Sequence, residues 1–294
     1  VSVSAESRSR FEAPQPTAVL SGQELGKQLE GSLGAALRGQ LGVAERSSGP
    51  GASRPVIRGL DGDRVLILQD THGMGDVSSQ SADHGVSVNP ATASRIEVVR
   101  GPATLLYGSN AIGGLVNIVT KTIPTDQRAS GAPAARGLVT IDAGSGTPEG
   151  GAAASTGWRH GALAVQVSGA ARRSGEMRTP EAVVANTAAR SALGTVAASW
   201  IGSAGYLGGS YGFDAGRYGL PAVQGGAPVV LTPRRHGVTL RGEWRELPRA
   251  LGSVRVSAAR RAYTHDEIEN GAVGTRFDND LTEATLLLAH RPVA

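Results

Sequence analysis

Histidine and acidic side chains are thinly spread in this 294-residue chain, with six His against 25 Asp plus Glu, so their clustering is informative. The polar stretch Thr71–Pro90, THGMGDVSSQSADHGVSVNP, carries His72, Asp76, Asp83 and His84. A loop of that length inside a compact unit is usually functional or disordered. A second cluster, His265-Asp266-Glu267 with Glu269, sits at the end of a predicted strand in a predicted outer loop. Imidazole nitrogen and carboxylate oxygen together suit zinc, which usually takes four ligands. The plain alternative for each residue is a solvated loop side chain. His160 and His290 fall at the opposite ends of their predicted strands and are set aside as ligands.

Nothing in the chain sets up covalent or acid–base chemistry. The absence of cysteine excludes thiolate metal sites, disulfides and thiol nucleophiles. No GxSxG, HExxH or Walker pattern occurs. Gly144–Gly150, GSGTPEG, lacks the G-x-G-x-x-G spacing and precedes no helix, so it predicts a hairpin turn and not a phosphate loop. The chain therefore reads as a non-enzyme without a catalytic cofactor. A net charge of +4, with no Lys/Arg block, gives no nucleic-acid footprint.

The elements that must position these residues fall into two groups. Forty-two glycines with 4% aromatics suggest many turns and small-residue strands. No run approaches the roughly 18 apolar residues of a membrane helix, so contact with a bilayer would require a barrel. From Arg136 onward the pattern predicts about eight strands, at 136–143, 151–159, 161–171, 191–201, 205–214, 236–246, 252–264 and 277–290. In Val238–Arg245, Val238, Leu240, Gly242 and Trp244 share one face, while Thr239, Arg241, Glu243 and Arg245 share the other. Charged inner positions favour a watery lumen, and the alternation of long and short connections is that of an outer-membrane barrel. Trp158, Trp200 and Trp244 fall near one set of strand ends, as an interfacial girdle would.

Upstream, Ser21-Gly22-Gln23-Glu24 is a capping-box pattern opening a helix with Leu25, Leu29 and Leu33 on one face. Leu33–Leu41 predicts a second helical piece, and Arg54–Leu60 and Arg64–Asp70 predict strands. Arg95–Arg100 and Leu115–Lys121 predict two more, joined through Gly101-Pro102, about one helical turn over Ala103–Tyr107, and Gly113-Gly114.

The continuous stretch RIEVVRGPATLLYGSNAIGGLVNIVTK, Arg95–Lys121, resembles the signature of the plug domain of TonB-dependent outer-membrane receptors. RPVIRG followed by VLILQD extends the resemblance over about Val1–Pro124. It implies a mainly β chain: an α+β plug with a small mixed sheet at 1–125, then antiparallel strands of a partial transmembrane barrel at 126–294. Eight strands cannot enclose a plug, since plugged transporters need about 22, so a longer receptor is expected. The resemblance also implies an outer-membrane location, long loops outside, lipid around the wall, and the TonB energy-transducing complex as partner. Val1, Ser2, Val3, Ser4 and Ala5 are similar to the TonB box, which pairs by strand addition. Arg58 and Arg100 stand where family arginines lock plug to barrel.

SADHGV around Asp83 and His84 resembles the SPDHAV-like segment of the zinc-uptake branch, with Ala82 and Gly85 as departures. Barrel loops would then complete the site, with His265, Asp266 and Glu267 the leading candidates and His72 a lesser one. The implied activity is uptake of a scarce solute, zinc first, a ferric siderophore or cobalamin next. A secreted β-rich binding or adhesion module is the alternative from another class.

Overall fold

The computed structural model describes residues 16–81, 83–101, 109–125, 135–222, 226–245, 247 and 251–290. Val1–Ala5 and the predicted helical turn Ala103–Tyr107 lie outside these residues.

The first unit is built on a five-stranded sheet. Its elements begin with β1 (Thr17–Ser21), α1 (Gly22–Lys27), α2 (Leu33–Leu37), β2 (Val43–Gly49) and β3 (Ala52–Ile57). They continue with β4 (Val65–Gln69), β5 (His72–Gly73), β6 (Arg95–Arg100) and β7 (Gly114–Val119). The sheet order is β1-β6-β7-β4-β5, with β4 and β7 parallel and the other pairs antiparallel. All six β7 residues are buried, as expected of a β-branched strand flanked on both sides. Leu25, Leu33 and Leu37 of the helices pack on Leu20, Ile96, Val98, Val116 and Ile118. Gly114 admits no substitute: its φ is 146°, and a Cβ there would lie 2.3 Å from Val99 O.

The local expectations need three corrections. Ser21 is the N-cap of α1 but makes no side-chain cap bond; the bonded cap is Ser32, whose Oγ accepts from Ala35 N at 3.2 Å. The second helix ends at Leu37, leaving Leu41 exposed. β3 pairs with β2 as a separate hairpin and not with β4, so the segment Val43–Gly49 is strand where none was predicted.

The second unit is an antiparallel meander of eight long strands: β8 (Ala135–Gly144), β9 (Glu149–His160), β10 (Leu163–Ser174), β13 (Ala189–Ile201), β14 (Gly205–Leu220), β15 (Val229–Arg245), β16 (Leu251–Glu269) and β17 (Ala272–His290). A small hairpin, β11 (Met177–Arg178) with β12 (Val183–Val184), fills the connection between β10 and β13. The strands run farther than predicted. The predicted loops at 215–235 and 265–276 are mostly strand, and β16 turns into β17 at Asn270-Gly271, both with positive φ. That is the dipeptide of a two-residue hairpin. Charged and glycine-rich residues looked like loop because the outward side chains there, such as Arg217 and Arg234, are polar, while buried inward positions include Arg235 and His265, which removes the apolar alternation that marks a half-buried strand.

Lower down the alternation is plain. Val196, Leu207, Val238 and Leu240 point outward and are exposed, while Ala197, Ala259 and Arg261 point inward and are buried. Trp158 and Trp200 are exposed on the outer face at one end of the wall, and Trp244 folds over Gly242 on the same face. Among the described residues no helix is long and apolar enough to cross a membrane; a strand wall crosses by other means.

Candidate metal centre between plug and wall

The sheet of the first unit aims one loop at the wall. Glu97 and Asn117 face each other inside the sheet, and Asn117 Nδ2 donates to Glu97 Oε2 at 3.2 Å. Asn117 Oδ1 in turn accepts from Thr71 N at 3.0 Å, which fixes where the loop after β4 departs. Buried Arg54 holds the loop farther on, donating to Ser78 O at 2.7 Å and Ser81 O at 2.8 Å. Arg46 and Arg54 both bond Asp61, and Arg46 leads in holding that carboxyl below the usual carboxylate range. Asp76 ties the loop to itself, accepting from Ser78 N and Oγ and from Ser87 N. Gly85 N donates to the wall phenol of Tyr218 at 3.0 Å.

The inner wall grips the loop through its backbone. Arg235 donates to Met74 O, Ser87 O and the Gln69 side chain, and is paired with Asp214 at 3.2 Å. Arg261 donates to Gly73 O at 2.7 Å, Asn279 to Gly75 O at 3.0 Å, and Arg241 to Asp70 O. Glu283 accepts from Gly73 N at 2.8 Å. Below this grip a polar seam between the two units is lined by Asp70, Thr120, Ser168, Thr195 and Asp214.

So held, the loop brings His84 against β16. His84, His265 and Glu267 each offer one ligand atom, and these lie within 4.8 Å of one another. His84 Nε2 is 3.2 Å from Glu267 Oε1, and His265 Nε2 is 3.7 Å from the same oxygen. Tetrahedral zinc with bonds of about 2.0–2.1 Å spaces its ligand atoms roughly 3.3 Å apart, so these two pairs need little movement. The opposite ring nitrogens are engaged: His84 Nδ1 with Val77 O at 3.3 Å, His265 Nδ1 with Tyr263 Oη at 3.1 Å. Such outer contacts orient metal-binding imidazoles. His265 Nε2 is buried without a hydrogen-bond partner. Phe277 stacks on His265 at 4.7 Å and meets the edge of His84 at 5.4 Å, closing one side of the cluster. Two imidazoles and a carboxylate form a three-ligand set.

The predicted residues divide unevenly. His84, His265 and Glu267 converge, although His265 and Glu267 are strand residues on the lumen face and not members of a loop. Asp83 is turned away, accepting from Ser81 Oγ. Asp266, one position out of phase with its neighbours, faces outward and pairs with Arg276 at 2.6 Å. His72 lies in the grip, with Ser257 Oγ 3.0 Å from Nε2 and Asp70 O 3.1 Å from Nδ1. Burial, then the charges of Arg241 and Arg261, lowers its pKa to about 4. Arg100 donates to Leu41 O within the first unit and Arg58 is exposed near Gly42 and Gly101, so the arginines seen to join the two units are those of the wall. Tyr263 and Phe277 were not singled out from the sequence, because an aromatic at an alternating strand position carries no metal signature.

Residues 9–115 match the family described as TonB-dependent Receptor Plug Domain. A hemin receptor of Yersinia pestis is 34% identical over 117 residues, covering 40% of this chain and 17% of that protein. The vitamin B12 transporter BtuB of Vibrio vulnificus is 36% identical over 121 residues, covering 38% and 19%. The chain thus matches under a fifth of the length of these curated relatives. Among solved structures, the copper transporter OprC superposes with a TM-score of 0.77 at 17% identity, over 94% of this chain and 43% of that one. The ferric preacinetobactin receptor BauA of Acinetobacter baumannii gives 0.70 at 16% identity, over 96% and 45%. These structural likenesses extend the shared fold past the matched segment into the strand wall, and residues 9–115 are similar to the plug domain of TonB-dependent receptors.

Proposed function

We propose that this chain forms the plug (1–125) and the first eight wall strands (126–294) of an outer-membrane transporter that takes up a transition-metal ion, zinc foremost. The observation that carries this is the convergence of plug His84 with wall His265 and Glu267 in a donor set suited to zinc. The exposed apolar outer face of the wall, ending in tryptophans, is the surface that lipid covers.

The site is shared between two bodies, which gives a mechanism for release. An ion bound from outside is held by one plug ligand and two wall ligands. The energy-transducing partner takes hold of the N-terminal segment bearing Val1–Ala5 by strand addition. A pull on the plug breaks the Arg235, Arg261 and Asn279 contacts to the loop and carries His84 away from β16. The ion is left with two wall ligands and a weaker site. Val77 O and Tyr263 Oη keep both imidazoles turned toward the ion until then.

The test is zinc titration of the full-length receptor by calorimetry, beside growth in zinc-limited medium. One saturable site is expected, lost in His84→Ala and in Glu267→Ala, with slower growth of both. No saturable zinc binding, and growth unaffected by either substitution, would overturn zinc as cargo. Cu²⁺ binds such donors more tightly than Zn²⁺, and the structural neighbour OprC is a copper transporter, so copper is the second reading. Uptake of each metal by whole cells separates them. A ferric siderophore or cobalamin would lean on contacts away from the buried histidines, and His84→Ala would leave its uptake intact.

A further inference from the structure

Phe277, on β17, touches both histidines of the metal cluster and offers no donor atom. It stands directly opposite His265 across the β16–β17 pair, on the lumen face. The rings of His84, His265 and Phe277 form a triangle, with centroids 4.7 Å apart for the two histidines, 4.7 Å for His265 and Phe277, and 5.4 Å for His84 and Phe277. The phenyl lies nearly parallel to the His265 ring, with 19° between the planes, and meets the His84 ring at 72°. Two corners of the triangle supply nitrogen; the third supplies only hydrocarbon.

Exposure around the cluster is one-sided. His265 is fully buried, with Nε2 out of reach of solvent and without a hydrogen-bond partner. Tyr263 packs edge-on against the same ring at 5.6 Å, with its Oη on Nδ1. His84 has 5% of its side chain exposed and Glu267 has 19%. Thr275, which stands opposite Glu267 on β17, is exposed as well. Solvent therefore approaches the cluster beside Glu267, while the imidazole side is covered by the phenyl. That asymmetry bears on coordination number. With three protein ligands in place, a tetrahedral ion has one position left to fill, and an octahedral ion has three.

We propose that Phe277 sets the metal preference of the site, by keeping water from the imidazole side and so holding a bound ion to about four ligands. This rests on the metal-uptake reading above and adds to it the class of ion. The site takes an ion satisfied by four ligands, as zinc is, and disfavours ions that keep an octahedral shell of oxygen, as manganese and magnesium do. Donor affinity alone does not secure such a choice; geometry and ligand number do. A water on the imidazole side would yield to an octahedral ion's shell, whereas a phenyl fixed by two ring contacts and by its place in the strand does not.

The test is metal binding to the full-length receptor in detergent, for the wild type, Phe277→Ala and Phe277→Leu. Calorimetry gives the affinities for Zn²⁺ and Mn²⁺. The visible spectrum of bound Co²⁺ reads ligand number, because four-coordinate Co²⁺ absorbs strongly and six-coordinate Co²⁺ weakly. The wild type should give the strong Co²⁺ bands and prefer Zn²⁺. In Phe277→Ala that preference over Mn²⁺ should fall by about tenfold or more and the Co²⁺ bands should weaken. Phe277→Leu, which keeps apolar bulk over the imidazoles, should fall between. Equal weakening of Zn²⁺ and Mn²⁺ binding in Phe277→Ala, with unchanged Co²⁺ bands, would make the phenyl a packing residue and overturn the proposal. So would weak, six-coordinate Co²⁺ bands in the wild type. If Phe277→Ala does not fold, Phe277→Val is held to the same criterion. Absence of saturable Zn²⁺ and Co²⁺ binding to the wild type would sink the metal reading itself, whereas four-coordinate binding that Phe277→Ala leaves unaltered sinks only this proposal.

Discussion

Replacing Arg235 by alanine should loosen the apex loop of the plug by a calculable amount. In the folded protein this buried guanidinium serves Met74 O at 3.1 Å, Ser87 O at 2.8 Å, Gln69 Oε1 at 3.3 Å and the Asp214 carboxylate at 3.2 Å. Removing it leaves two loop carbonyls short of a donor and a mostly buried carboxylate without its cation. Breaking one partner of a buried pair typically costs about 3–5 kcal/mol, and each bond to a charged group about 1.5–3 kcal/mol, overlapping that figure. A net weakening of the plug–wall attachment by about 4 kcal/mol follows, close to a 10³-fold rise in the loop's opening constant. Hydrogen exchange in the full-length receptor reads this at Gly73, Ser78 and Ser87, whose amides depend on the ordered loop. Exchange there should accelerate about 10³-fold while amides of β6 and β7 stay protected. Arg235→Lys should fall between, because an ammonium cannot span all four acceptors. Less than tenfold acceleration in Arg235→Ala would refute the idea that wall arginines retain the plug.

Three further outcomes are expected. Gly85→Ala places a Cβ 2.0 Å from Gly51 O, backbone against backbone, so the loop must lift; zinc affinity measured by calorimetry should drop at least tenfold with the wall's melting temperature unchanged. Asp266→Asn alters an outward pair with Arg276 and should leave zinc affinity within about twofold of wild type. His72 has a folded-state pKa of about 4, below its ordinary 6.5, because of burial and then Arg241 and Arg261. The unfolded chain therefore binds the extra proton first: the stabilisation from neutral His72 is complete above about pH 6.5 and is lost as pH falls toward 4, by about 3 kcal/mol in all. Thermal melts between pH 7 and 4 should show that slope, and His72→Gln should flatten it.

How much of this was legible in the sequence depends on what water touches. Arg95–Lys121 was readable because apolar alternation, Gly101-Pro102 and Gly113-Gly114 each act locally, and β6 and β7 fall where those signals place them. The eight wall strands were countable for the same reason, with exposed apolar residues such as Val196, Val238 and Leu240 setting the outward pattern at mid-height. Above that height the pattern vanishes, so β15 and β16 continue through Arg234 and His265 where composition suggested loop. Phase explains the mixed outcome at the metal cluster. His265 and Glu267 are two apart and share the lumen face, while Asp266 between them cannot. Asp83 and His84 are adjacent, and which one meets the wall is decided by Asp76 of the same loop together with Arg54 and Tyr218, which are far from them in sequence.

Anomalous diffraction at the zinc edge, from crystals of the full-length receptor soaked in zinc, tests the shared metal site most directly. One peak is expected, about 2.0–2.1 Å from Nε2 of His84 and of His265 and about 2.0–2.2 Å from a carboxylate oxygen of Glu267. A zinc peak bound elsewhere with this cluster empty, or no ordered peak at saturating zinc, would contradict it.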